Sequence, residues 1–264
     1  SAFVTGGLLA LSGAIMQVLL RNPLADPYIL GISGGAAVGA LSAILVGATG
    51  FWLSNAAFVG ALSSIFLVFG IANKFGTWSV TRLLLTGVVV SAGWGAVINI
   101  LLTTSSTNNV QSMLFWLMGD LSQSRVNPAH YLLLLGGLVG GIFISRSLNV
   151  LIRGELLAVS LGVNVNSLRL LLFFSASVFT ATAVTVAGSV GFVGLIIPHI
   201  LRLLGARDHR ILIPSCILLG GSFLVLADSL ARTLIAPQQL PVGVVTAVIG
   251  VPVFILILRS TIRK

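Results

Sequence analysis

The sequence is short of charge. Of its 264 residues only 7% are Asp, Glu, Lys or Arg, while 57% are hydrophobic. A soluble domain carries about 25% charged residues, so a water-covered surface is excluded for a chain of this length, and lipid must be its main solvent. Apolar–polar alternation is missing too. The apolar runs approach twenty residues, which selects membrane helices over a barrel, because in lipid every backbone group must be paired internally. Lysine is scarce: Lys74 and Lys264 are the only two. Neither ends a G-x-x-x-x-G-K-[ST] loop, so there is no phosphate cradle, and ATP that drives this protein must bind to another chain. Cys216 is the single cysteine, which rules out an internal disulfide and reads as a small packing residue. The three histidines, His130, His199 and His209, form no H-E-x-x-H, and no metal or catalytic constellation is expected. His199 reads as a structural or capping residue. The five acids, Asp26, Asp120, Glu155, Asp208 and Asp228, fall at or near the ends of apolar runs. An ion-coupled carrier usually keeps carboxylates within its helices; a carrier using backbone carbonyls is the competing class.

What is present is a set of nine apolar runs, which predict spans over roughly 1–20, 28–48, 52–72, 83–103, 129–145, 168–187, 190–204, 211–231 and 242–258. The net charge of +9 tests this count. If alternate loops share a side, one side holds Arg21, Lys74, Arg82, Arg146, Arg153, Arg169, Arg202, Arg207, Arg210, Arg259, Arg263 and Lys264, and the other only Arg125 and Arg232. Such a split follows the positive-inside rule and puts the C-terminus in the cytoplasm. No basic stripe with interleaved aromatics is present, so nucleic acid is not an expected partner. An odd number of spans leaves Ser1 outside. Its abrupt entry into an apolar run suggests that at least one preceding span is missing. The expected architecture is therefore all-α: a single polytopic transmembrane bundle over 1–264.

Two segments are not simple loops. Residues 108–127 carry Met113, Phe115, Trp116 and Met118 between polar ends and read as a short interfacial helix. Residues 146–167 are too polar to span and read as two short cytoplasmic helices separated by Gly154 and Gly162. Among the prolines, Pro252 lies within the last span and a kink is expected there.

Longer strings carry a family resemblance. ALSGAIMQVLLRNPLADPYILGISGGAAVGA at 10–40 and GSVGFVGLIIPHILRLLGARDHR at 188–210 are the most specific. TRLLLTGV at 81–88, FWLMGDLS at 115–122 and LPVGVVTAVIGVPVFILIL at 240–258 agree in order and spacing. Together they resemble the FecCD-type permeases, the membrane subunits of type II ABC importers for iron chelates, haem and cobalamin. The resemblance covers the whole chain and implies ten spans, with Ser1 inside the second. It also implies a homodimer around a central pathway, two ATP-binding subunits that carry the ATP and Mg, and a periplasmic or lipid-anchored binding protein. The bacterial cytoplasmic membrane is the implied location, and a ferric siderophore is the first substrate expectation, with haem or cobalamin close behind.

The resemblance also implies roles at single positions. Arg153, Gly154, Glu155, Leu156, Ala158, Leu161 and Gly162 match a coupling segment that sits in a cleft of the ATPase, while Val159 stands where many relatives have Arg. Ser79, Val80 and Thr81 match a cytoplasmic gate, where Val80 replaces a hydroxyl of some relatives and makes the constriction more apolar. Arg232 matches a docking arginine for the binding protein. Ser91, Trp94 and Asn99 are pathway candidates. Arg153 and Glu155 together are expected to transmit ATP-driven closure as a rigid-body push.

Overall fold

The computed structural model describes residues 1–73, 79–122, 124, 126 and 127–262, with side chains up to 256. Among these residues all regular secondary structure is helical: α1 (Ala2–Leu19), a 3-10 turn (Pro27–Leu30), α2 (Ile32–Leu45), α3 (Phe51–Asn73), α4 (Val80–Thr104), α5 (Thr107–Met118), α6 (Pro128–Arg153), α7 (Glu155–Ser160), α8 (Val165–Ala187), α9 (Val193–Leu203), α10 (His209–Thr233) and α11 (Val242–Ile262). Six of them (α1, α3, α4, α6, α8 and α10) are long and apolar enough to cross a membrane. Shorter apolar helices, α2, α9 and the first part of α11, stand at the other three predicted spans. Lys74, Arg125, Arg263, Lys264 and the Arg259 side chain lie outside the described residues.

α1 is the axis of the bundle. Every residue from Val4 to Leu19 is buried, and the helix packs on α10, α8, α9 and α6. Its small residues make this possible. Between membrane helices there is no water to expel, so stability comes from close packing and from hydrogen bonds across the seam. Gly13 lies against the backbone of Gly194 on α9, and Gly6 against that of Gly220 on α10. The buried Ser12 hydroxyl meets the Ala176 carbonyl at 2.8 Å and the Thr180 hydroxyl at 2.6 Å on α8. α2 and α3 form a second close pair, on which α4 lies.

Helix ends are set by local chemistry. Asn127 and His130 form a capping box at the start of α6, with Pro128 at its first position. Asn164 caps α8 and Asp208 caps α10. Pro252 lies inside α11, which continues past it.

Two expectations need correction. The predicted span 28–48 is not one helix: Gly31 adopts φ 72° and breaks it into the 3-10 turn and the 14-residue α2. A residue without Cβ takes that conformation without strain. Nor does 146–167 hold two short helices. α6 runs on unbroken to Arg153, leaving α7 as the single short helix. The apolar pattern stops near Arg146, but the backbone hydrogen bonding does not. The interfacial segment forms α5 over its first part only. There Met113 is buried, Phe115 and Met118 are exposed, and Trp116 packs partly into the core.

Candidate functional site

The helix ends that bear Arg21, Arg82, Arg153, Arg169, Arg202 and Arg210 meet at one face of the bundle, here called the basic end. Gln17 near the end of α1 accepts a short hydrogen bond from Arg202 of α9. Asn149 of α6 donates to the Asp208 carboxylate at 2.8 Å, and its carbonyl oxygen accepts the His209 backbone N–H at 3.0 Å.

α7 sits on this face, between glycines with φ 142° at Gly154 and φ 80° at Gly162. No atom would obstruct a Cβ at either position, so these glycines serve the backbone angle and not a close approach. One residue of α7 is sunk into the protein: Ala158 is fully buried. Leu156, 89% exposed, Leu157 and Val159 face outward, as does Leu161 just beyond the helix. These side chains form an apolar ledge beside the polar groups of the basic end.

Glu155, at the start of α7, does not engage Arg153. It accepts two hydrogen bonds from Arg169 of α8, at 3.0 and 2.6 Å, and a third, at 3.4 Å, from Arg21 beyond α1. Arg169 is buried and Arg21 exposed. The Arg169 hydrogen bonds hold the Glu155 carboxyl below its ordinary range; partial burial opposes this, and the charges of Arg169 and Arg21 add to it. Sequence reasoning missed both arginines. For Arg169 the available signal was a cation in the first turns of an apolar span, which lipid tolerates only when it is paired.

Of the pathway candidates, Ser91 and Trp94 come together and Asn99 stands apart. Trp94 Nε1 donates to the Ser64 hydroxyl at 3.0 Å, and Ser64 donates to the Gly31 carbonyl at 2.8 Å. Ser91 donates to Gly87 within α4, and a Cβ on Gly31 would lie 3.1 Å from its hydroxyl. The break between the 3-10 turn and α2 is thus pinned by side chains of α3 and α4. Ser64 was not foreseen. Trp94 also borders an apolar groove of about 680 Å³ between α2 and α3, with Ser42, Trp52, Asn55 and Ser63 along it. Asn99 is exposed farther along α4.

Ser79 caps α4 by accepting the Arg82 N–H at 3.4 Å; Val80 and Thr81 form its first turn. At the opposite end of the bundle, Arg232 donates to Asp228 at 3.0 Å and to the Leu121 carbonyl at 3.2 Å. Arg232 is exposed while its hydrogen bonds hold it in one orientation. Here α5, α8 and α11 converge on three glycines. A Cβ on Gly119 would lie 2.8 Å from the Ser189 carbonyl oxygen, and one on Gly243 at the same distance from that atom. Gly188 lies against the Trp116 carbonyl.

Among the described residues no group of three or more His, Cys, Asp or Glu could hold a metal ion.

Comparison with known proteins adds an independent line. The model of the FecCD transport family matches residues 1–260. The chain is 45% identical over 259 residues to the cobalamin import system permease protein BtuC of Halobacterium salinarum, covering 97% of this chain and 69% of that protein. It is 39% identical over 265 residues to the vitamin B12 import system permease protein BtuC of Klebsiella pneumoniae, covering 98% and 80%. Among solved structures, a metal-chelate type ABC transporter in an inward-facing conformation superposes with a TM-score of 0.88 at 33% identity, over 98% of this chain and 83% of that one. PsaBC from Streptococcus pneumoniae shares the fold at TM-score 0.63 and 18% identity.

Proposed function

The chain belongs to the FecCD transport family, and on that premise we propose how this multi-pass permease of an ABC importer for metal-chelate or cobalamin-type substrates works. α7 docks with its exposed leucines into an ATP-binding subunit on the cytoplasmic side. Two such subunits bind ATP and Mg, two copies of this chain enclose the pathway, and a binding protein delivers substrate at the opposite end. The observation that carries this reading is the ledge of Leu156, Leu157, Val159 and Leu161 on the basic end, and the excess of basic residues at that end supports a cytoplasmic orientation for it. That excess also supports a cytoplasmic C-terminus.

The remaining roles follow from this orientation. Ser79, Val80 and Thr81, at the cytoplasmic start of α4, act as the inner gate. Trp94 and Ser91 border the pathway at the pinned break. Arg232 meets an acidic side chain of the binding protein, and such a charge pair sets register and encounter rate. The names of the relatives favour a corrinoid of the cobalamin type over the ferric siderophore expected from the sequence.

The test is ATP hydrolysis in lipid nanodiscs by the permease assembled with its ATPase, with and without the binding protein. Hydrolysis that requires the permease and responds to the binding protein supports the importer mechanism, and a chelate panel then separates cobalamin from siderophores. A permease that neither assembles with the ATPase nor alters its rate would overturn the docking role of α7 and favour an ion-coupled carrier.

A further inference from the structure

We propose that Glu155, half-exposed at the start of α7, is the centre of a bracket, and that Arg169 and Arg21 are positioning residues, Arg169 making α7 move as one body with α8 and Arg21 adding a looser tie to α1. This deepens the ATPase-coupling role of α7 and rests on that reading.

The geometry points this way. α7 has six residues and a single buried one, Ala158. It is tethered at both ends by glycines in positive-φ conformations, without packing around them. A helix held only by that would swing on its tethers, and a push on its outer leucines would be absorbed by the two joints. The Glu155 carboxylate removes that freedom at one end. Its two oxygens are bound in parallel by the Arg169 guanidinium at 3.0 and 2.6 Å, and two parallel bonds fix orientation as well as distance. Arg169 is itself buried in the first turns of α8, so this arm is anchored in the bundle.

The second arm is of a different kind. Arg21 reaches the same carboxylate at 3.4 Å, with its side chain 36% exposed, from a backbone at φ 48°. It stands two residues beyond α1, the axis of the bundle, and opens the segment leading to the pinned break at Gly31. One carboxylate therefore joins α7 tightly to α8 and loosely to α1. Arg153, although adjacent to the glycine joint, makes no ion pair among the described residues. The charge of Glu155 consequently acts on α7 through α8.

The test uses the full chain in nanodiscs, with spin labels at Val159→Cys and Ile211→Cys on a Cys216→Ala background. The wild-type pair should give a narrow distance distribution. Arg169→Met should broaden it, and the charge swap Glu155→Arg/Arg169→Glu should narrow it again. In the ATPase complex, transport per ATP hydrolysed should fall about fivefold in Arg169→Met, the low end of ordinary coupling between sites, and should recover in the swap. Arg21→Gln, a change at the exposed arm, should give a smaller loss. An unchanged distribution in Arg169→Met overturns the bracket whether or not the protein imports anything. If the distribution broadens while the wild-type complex shows no coupled hydrolysis, the importer reading fails and the bracket stands.

Discussion

Gly13→Ala tests the packing on which the bundle rests. The added methyl carbon would lie 1.8 Å from the Gly194 carbonyl oxygen, against the 3.4 Å at which ordinary contact begins, so α1 and α9 would have to part by about 1.6 Å. Both sides of the contact are backbone, so no rotamer change relieves it. Overpacking costs about 1–3 kcal/mol, and the upper figure applies where nothing can yield. Alanine returns about 0.5–1 kcal/mol of helix propensity. The net loss is about 2 kcal/mol, a Tm lowered by roughly 4–8 °C for a chain of this size. Gly136→Ala is the control: it lies mid-α6, exposed, with nothing within 4 Å of the new carbon, and should leave Tm unchanged or slightly raised. Thermal unfolding in detergent, followed by circular dichroism and gel filtration, compares the two. Equal Tm values for Gly13→Ala and Gly136→Ala would refute the argument that α1 is held by backbone approach.

Two further outcomes are expected. Ser64→Ala leaves the part-buried Trp94 N–H without its acceptor, at a cost of about 1–3 kcal/mol, while the Gly31 carbonyl keeps only the Gly35 N–H; Tm should drop relative to Ser63→Ala, whose exposed hydroxyl bonds only to its own helix, and equal Tm values would remove the pin at the break. Because the Glu155 carboxyl is held below its ordinary range, its contribution to α7 attachment is complete above about pH 4.3, the ordinary glutamate value, and is lost as pH falls through the lower folded value. Hydrogen exchange in 155–160, corrected for intrinsic rate, should be flat from about pH 7 to 5.5 and rise only in stronger acid; a rise within that range would count against the ion pair.

The spans were legible because apolar length is a direct signal of a lipid environment, and α1, α3, α4, α8 and α10 stand close to where that signal put them. What it could not give were the breaks. The stretch through Gly31 stays apolar while its backbone turns, so hydropathy is blind to it. The end of α6 failed in the opposite sense: Arg146, Ser147 and Asn149 leave the apolar pattern while the helix continues into the aqueous layer. The sequence singled out Glu155 but offered no partner for it, since Arg169 lies 14 positions on, across the turn at Gly162. Ser64 escaped notice because a serine in a membrane helix usually bonds to its own preceding turn, and nothing in the local sequence says that this one reaches across to another helix.

The position of α1 at the centre has a consequence for how the protein is made. Its walls are α8, α9 and α10, which leave the ribosome long after it. Gly13 and Gly194 are 181 residues apart, an interval of roughly 9–36 s at ordinary synthesis rates of about 5–20 residues per second. Until then α1 has no α9 or α10 to fill its glycine seams. The bundle therefore closes late, when α9 and α10 arrive, and a stalled or truncated chain would present the insertion machinery and the membrane proteases with an unsheathed central helix.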